Sequence, residues 1–178
     1  FEAFPVLGGM LAVGIPEYRL PREILKMEID GIRQLGVEMK PNHPFRFNRD
    51  GKTFQKLGYH AAFLSIGAHR SARLNIPGER LEGVFYGVEF LRDINLGKRV
   101  KIGKKVAVIG GGNVAIDAAR SALRLGTEMV SIYYRRSREG MPAIPEEVDE
   151  AIREGVKIHF LASPIKIDGR GEKATGME

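Results

Sequence analysis

Cysteine is absent from this 178-residue chain, which excludes disulfides, thiolate metal sites, iron–sulfur ligation and cysteine nucleophiles within these residues. The four histidines, His43, His60, His69 and His159, are scattered and show no metal-ligand spacing. No apolar run reaches the roughly 20 residues that cross a bilayer, and no signal-peptide pattern is present. A cytoplasmic protein without membrane insertion is therefore expected. Repeats of about 20–50 residues are also missing. Lys and Arg outnumber Asp and Glu 28 to 22, but this excess of +6 is spread along the chain. With no nucleic-acid motif and no aromatic stacking platform, nucleic acid is not an expected partner. A polyanionic cofactor accounts for the one tight basic cluster.

What the chain does have is an apolar fraction of 43%, enough for a core, and 22 glycines gathered in clusters that mark tight turns. Ile24, Leu25, Ile29, Ile32 and Leu35 have helical spacing, with Pro21 at the start and Gly36 as the stop. A short strand is expected before Lys40. Phe45 to Phe54 reads as a hairpin turning at Asp50-Gly51, and Ala61 to Ile66 as a short buried strand ending in Gly67-Ala68. Ile76-Pro77-Gly78 reads as a loop and hinge between two halves. Val88 to Leu96 suggests a helix closed by Gly97. A β-α-β unit follows: strand Val106–Ile109, helix Asn113–Leu125 with Gly126 after it, and strand Met129–Tyr134. Pro145 to Glu154 suggests another helix and Val156 to Leu161 a third strand. The tail reads as a hairpin around Asp168-Gly169.

Within the β-α-β unit, Gly110-Gly111-Gly112-Asn113-Val114-Ala115 fits G-x-G-x-x-A. Gly110 allows the tight turn, Gly112 lets backbone approach a pyrophosphate, and Ala115 keeps helix and strand close. The pyrophosphate would rest on the free N–H groups and positive end of the helix from Asn113. Sites for NAD place a carboxylate about 20 residues downstream, on the ribose hydroxyls. Here the second strand ends instead in Tyr134-Arg135-Arg136-Ser137-Arg138. A guanidinium fork grips a 2′-phosphate that a carboxylate would repel, so NADPH is expected over NADH, with Arg135 and Arg136 as the grip. A solvated basic turn is the plainer alternative. Asp117 could orient the glycine loop or be a surface carboxylate. Glu146 and Glu147 read mainly as charges favoured at a helix start.

These residues, taken together, resemble the small (β) subunit of NADPH-dependent glutamate synthase and its relatives. Those include the flavoprotein subunit of NADH-dependent ferredoxin:NADP oxidoreductase and the corresponding part of dihydropyrimidine dehydrogenase. The resemblance rests on Phe1-Glu2-Ala3, Gly8-Gly9-Met10-Leu11 and Gly14-Ile15-Pro16-Glu17-Tyr18-Arg19-Leu20-Pro21. It continues through Phe63 to Ala68, Ile76-Pro77-Gly78-Glu79, Val108 to Asp117, Tyr134-Arg135-Arg136, and Met141-Pro142-Ala143 leading to Glu146-Glu147. It implies an α/β fold: a three-layer Rossmann-like NAD(P)-binding domain, residues 81–178, joined to part of an FAD-binding Rossmann-like domain, residues 1–80. It further implies that Glu2 binds the FAD ribose, that Gly8, Gly9 and Met10 form a loop along the FAD, and that Arg19 adds a contact. Phe45 is placed near another, and Gly67-Ala68 at the turn that passes the flavin. The implied activity is hydride transfer from NADPH to FAD, with electrons passed to an iron–sulfur partner subunit or domain.

The glycine-rich FAD fingerprint that should precede Glu2 by about 20 residues does not occur, nor does the family's returning flavin segment. The chain thus reads as an internal piece, expected to bind NADPH, to hold FAD poorly and to turn over little by itself. An NADPH-responsive regulatory module moving at Ile76-Pro77-Gly78 is the alternative. Exposed sheet edges leave self-pairing into a homodimer open.

Overall fold

A computed structural model describes residues 1–46 and 53–178, and the chain divides into two units, Phe1–His69 and Arg70–Glu178. This division falls before the boundary read after residue 80. The first unit holds α1 (Gly9–Val13), α2 (Arg22–Gln34) and α3 (Thr53–Lys56). Helix α2 follows Pro21, which precedes the first turn where its missing N–H costs no bond, and it gives way to Gly36 at φ 88°. Its Leu25 is buried.

Two expected strands of this unit do not form. Before Lys40 there is only isolated pairing: Glu2 N–H donates to the Lys40 carbonyl, and His43 N–H to the Glu2 carbonyl. Pro41 and Pro44 have no N–H to extend such a ladder. Ala61 to Ile66 is not a strand either, and it is not buried, with Phe63 94% and Ile66 74% exposed. A strand exists only through hydrogen bonds to a neighbour, and among the described residues the first unit contains no strand to pair with. The turn expected at Asp50-Gly51 lies outside the described residues, and the second arm of that hairpin is helix α3 instead.

The second unit runs α4 (Gly87–Asn95), β1 (Lys105–Ile109), α5 (Asn113–Arg124), β2 (Met129–Tyr134), α6 (Pro145–Arg153), β3 (Lys157–Phe160), β4 (Ile167–Arg170) and β5 (Lys173–Met177). Strands β1, β2 and β3 form a parallel sheet in that order, with Val106 opposite Val130, Val108 opposite Ile132, and Ile132 opposite Ile158. Parallel neighbours need crossovers, which α5 and α6 supply. Helix α5 packs on β1 and β2 and against α4 and α6. Its alanines 115, 118, 119 and 122 are buried, so the backbone lies close to the sheet, and Ile116 joins Ile132, Val130 and Leu91 in the core. Gly97, Gly126 and Gly155 take left-handed φ just after α4, α5 and α6.

The C-terminal hairpin forms, but its turn lies at Gly171-Glu172 and not at Asp168-Gly169. The latter pair marks a register shift between β4 and β5, and a Cβ on Gly169 would stand 2.7 Å from Leu81. Close packing, not turning, requires that glycine. Ile76-Pro77-Gly78 likewise sits within the second unit and not at a junction between units. The Pro77 carbonyl accepts the Ile167 N–H at 2.9 Å, and a Cβ on Gly78 would fall 2.0 Å from the Ile167 oxygen.

Helices α5 and α6 are clamped by charge. Arg120, with a side chain only 8% exposed, reaches Glu147 at 2.5 Å and Glu154 at 2.7 Å, and Arg124 adds its own pair to Glu154. Glu147 is therefore more than a helix-start charge. Hydrogen bonds from Arg124 and then Arg120 hold the Glu154 carboxyl down at about 2, from an ordinary 4.5. A depressed folded-state value means the clamp is fully present above about pH 4.5 and is lost as pH falls towards 2. Over that window, urea unfolding of the chain should show about 1–3 kcal/mol more acid destabilisation than the Glu154→Gln variant shows. Equal acid slopes for the two proteins would remove Glu154 from the clamp.

Candidate nucleotide site

The carboxyl end of β1 leads directly into the glycine turn. Gly110 has φ 137°, open to glycine alone among common residues, and its N–H donates to the Tyr133 carbonyl at 3.0 Å. The chain thus leaves the sheet at the top of β1, level with the end of β2. A Cβ on Gly110 would stand 3.5 Å from the Ala115 Cβ, which is the close helix–strand approach expected of that pair. Gly111 is buried against the Tyr134 ring. An added Cβ there would lie 2.5 Å from two ring carbons. Gly112 is the N-cap of α5, has an extended backbone, and a Cβ on it would meet nothing within 4 Å.

That combination leaves the first turn of α5 available to an anion. No side chain caps the helix, and no acidic residue stands in its first turn. The Asn113 side chain is turned elsewhere: its Oδ1 accepts the Ile144 N–H at 2.9 Å. Val114 is exposed. Unsatisfied N–H groups and the positive end of the helix dipole therefore face open space at Gly112.

At the top of β2, Tyr134 is buried and Arg135 and Arg136 are exposed. Arg138 pairs with Asp149 of α6. Among the described residues, Arg135 and Arg136 have no carboxylate partner. The Arg136 carbonyl accepts the Leu161 N–H, which anchors its backbone beside β3. Leu161 itself has a left-handed φ of 57°. Next to Arg138, the Ser137 hydroxyl holds the Glu139 carboxyl below its ordinary value.

Asp117 is 4% exposed, so the surface-carboxylate alternative does not hold. Sequence reasoning passed over Met141 to Ile144 as part of this site. Ala143 N–H donates to the Gly111 carbonyl at 3.0 Å, and with the Asn113–Ile144 bond it lays this segment along the glycine turn. Its sequence signals were that Met141-Pro142-Ala143 belongs to the family resemblance and that Pro142 and Pro145 fix the backbone just there.

In the first unit the candidate flavin residues are only partly gathered. The Glu2 carboxylate accepts the Phe4 N–H at 2.8 Å. Gly8 is the N-cap of α1 at φ 107°, and a Cβ there would press on Leu25, Ala12 and Ile29, so it serves α1–α2 packing. Gly9 and Met10 begin α1 and do not form the expected loop. Gly67, at φ 67°, lies beside Met10, with its Cβ position 3.6 Å from Met10 Cγ. Ala68 is exposed, and Arg19 is half-buried with its N–H on the Pro16 carbonyl. Phe45 stacks on Phe54 with ring centroids 4.7 Å apart and also meets Phe1. Among the described residues, no group of three His, Asp or Glu could hold a metal ion, and no helix is long and apolar enough to cross a membrane.

Comparison with known proteins gives the family of the chain. The chain is 48% identical over its whole length to the NADP(+)-dependent formate dehydrogenase subunit beta of Moorella thermoacetica, covering 26% of that protein. It is 43% identical to the NADPH-Fe(3+) oxidoreductase subunit beta of Geobacter sulfurreducens, again over its full length and 27% of the relative. The glutamate synthase [NADPH] small chain of Escherichia coli is 32% identical, with 40% of it covered. The chain thus spans a quarter to two fifths of the length of these relatives. Among solved structures, FprA of Mycobacterium tuberculosis (His57Gln mutant) superposes with a TM-score of 0.71 at 21% identity, over 97% of this chain and 54% of that one. That likeness shows a shared α/β fold. Residues 4–178 match the pyridine nucleotide-disulphide oxidoreductase family, and the chain belongs to it.

Proposed function

We propose that this chain is the NADPH-binding portion of a flavin-dependent oxidoreductase of the glutamate synthase small-subunit type. In this reading residues 81–178 belong to a three-layer Rossmann-like NADPH domain, and residues 1–80 to part of an FAD-binding Rossmann-like domain. The observation that carries it is the uncapped start of α5 facing open space at Gly112, with the exposed Arg135 and Arg136 at the end of the adjacent strand. Gly110, Gly111, Gly112, Asn113 and Val114 would hold the pyrophosphate on backbone N–H groups. Arg135 and Arg136 would hold the 2′-phosphate by charge-assisted bonds.

The three relatives differ in their named reactions (formate, ferric iron, glutamate synthesis) but share NADP in their names. The shared part is what we carry over. When bound, NADPH supplies a hydride to FAD, and the electrons pass on to an iron–sulfur partner subunit or domain. The residues of this chain position the nucleotide and shield its phosphates; none serves as acid, base or nucleophile. For FAD, the surface around Met10, Gly67 and Ala68 is the assigned contact, with Glu2, Gly8, Gly9 and Arg19 as its further members.

The test is a calorimetric titration of the chain with NADPH and with NADH at one stated salt concentration. Tighter binding of NADPH is expected. Equal affinities would overturn the phosphate grip, and failure to bind either nucleotide would overturn the site.

A further inference from the structure

The glycine turn and the arginine segment are parts of one hydrogen-bonded ring, closed by Tyr134. The buried phenol ring supports Gly111 from below, with the Gly111 Cβ position 2.5 Å from its carbons. At the far end its hydroxyl donates to the Gly140 carbonyl at 2.5 Å. The chain then returns: Ala143 N–H donates to the Gly111 carbonyl, and Ile144 N–H to Asn113 Oδ1. Arg135 and Arg136 lie inside this ring, between Tyr134 and Gly140. The Arg136 stem lies beside Gly140, where a Cβ would sit 3.4 Å from Arg136 Cβ and 3.5 Å from its Cδ.

From this geometry we infer that Tyr134 is a specificity-positioning residue: its hydroxyl bond to Gly140 sets where Arg135 and Arg136 stand relative to the glycine turn, and so sets the preference for NADPH over NADH. The inference rests on the nucleotide site proposed above. A tyrosine hydroxyl that donates from a buried ring to a main-chain carbonyl holds that backbone in place. The two arginines carry long stems with much rotamer freedom, so holding their backbone limits what must be ordered on binding. The ring and the hydroxyl have separable duties: the ring holds the pyrophosphate turn, common to both nucleotides, and the hydroxyl holds the segment that meets only the 2′-phosphate.

The experiment compares Tyr134→Phe with the unsubstituted chain by titration with NADPH and NADH, with circular dichroism to confirm folding. Phenylalanine keeps the ring and removes the hydroxyl. The NADPH:NADH affinity ratio should fall about fivefold, through weaker NADPH binding, a change equivalent to about 1 kcal/mol. An unchanged ratio, or equal weakening of both nucleotides, would overturn the inference and leave Tyr134 a support for the turn. If Tyr134→Phe does not fold, Gly140→Ala decides by the same ratio. Its added methyl would stand at van der Waals distance from the Arg136 stem and leave the Gly140 carbonyl to the tyrosine, and its backbone φ is not left-handed. Absence of any NADPH preference in the unsubstituted chain defeats the proposed function itself. A preference that is lost in an Arg135→Ala, Arg136→Ala double variant yet kept in Tyr134→Phe defeats only the inference.

Discussion

Replacing Arg135 and Arg136 together by alanine is expected to weaken NADPH binding about 100-fold while NADH affinity stays within about twofold. The 2′-phosphate is the only charged group by which the two nucleotides differ, so a residue that grips it acts on one affinity and not the other. Hydrogen bonds to a charged group contribute about 1.5–3 kcal/mol when one partner is removed, and about 1.4 kcal/mol is tenfold in affinity. Both guanidiniums are exposed, which places each at the low end of that range through solvent screening. Each single variant should therefore lose about tenfold. Among the described residues neither arginine is held by a carboxylate, so truncation strands no buried charge and the fold should be undisturbed. Arg138 is the internal control. Its partner is Asp149, and Arg138→Ala should leave the NADPH:NADH ratio unchanged. The NADPH advantage should also shrink as salt is raised. Equal losses for both nucleotides in the double variant would show that the arginines do not meet the 2′-phosphate.

Much of this site was legible in the sequence because its signals are local. A β-branched run, a glycine triplet, an alanine-rich helix and a closing glycine fix strand, turn and helix through backbone conformation alone. Strand β2 spans Met129–Tyr134, the very residues its pattern suggested. What failed depends on distant partners. Ala61 to Ile66 has the composition of a strand, but strand structure needs a neighbour, and the described part of its unit has none. Asp168-Gly169 carries a turn dipeptide, yet the glycine is there because Leu81 lies against it. Glu147 looked like a helix-start charge because Arg120, 27 residues earlier, is its partner only in three dimensions. The available clue was an arginine in the middle of an alanine-rich helix. Tyr134 read as the last residue of a strand. Its burial and its bond to Gly140 are products of packing that no spacing rule reports.

Adjacent glycines in the turn should fail in opposite ways when each receives a single methyl group. In Gly112→Ala the new Cβ meets no protein atom within 4 Å, and the backbone, at φ −92° and ψ 173°, is open to alanine. The cost to folding is confined to a poorer N-cap, about 0.5–1 kcal/mol. The methyl would occupy the space from which a phosphate reaches the bare N–H groups of α5, so NADPH and NADH should both weaken about 100-fold, or nearly 3 kcal/mol. In Gly111→Ala the new Cβ would fall 2.5 Å from the ring of Tyr134, which is buried and tied by its hydroxyl to Gly140. The ring cannot yield freely, so the turn must shift, at about 1–3 kcal/mol of overpacking strain. Thermal melts and titrations on the two variants separate these effects. Near-normal stability with lost binding is expected for Gly112→Ala, and lowered stability together with lost binding for Gly111→Ala. Normal nucleotide affinity in Gly112→Ala would mean that the phosphates approach from somewhere other than the open face of this turn, and the site would have to be rebuilt around a different element.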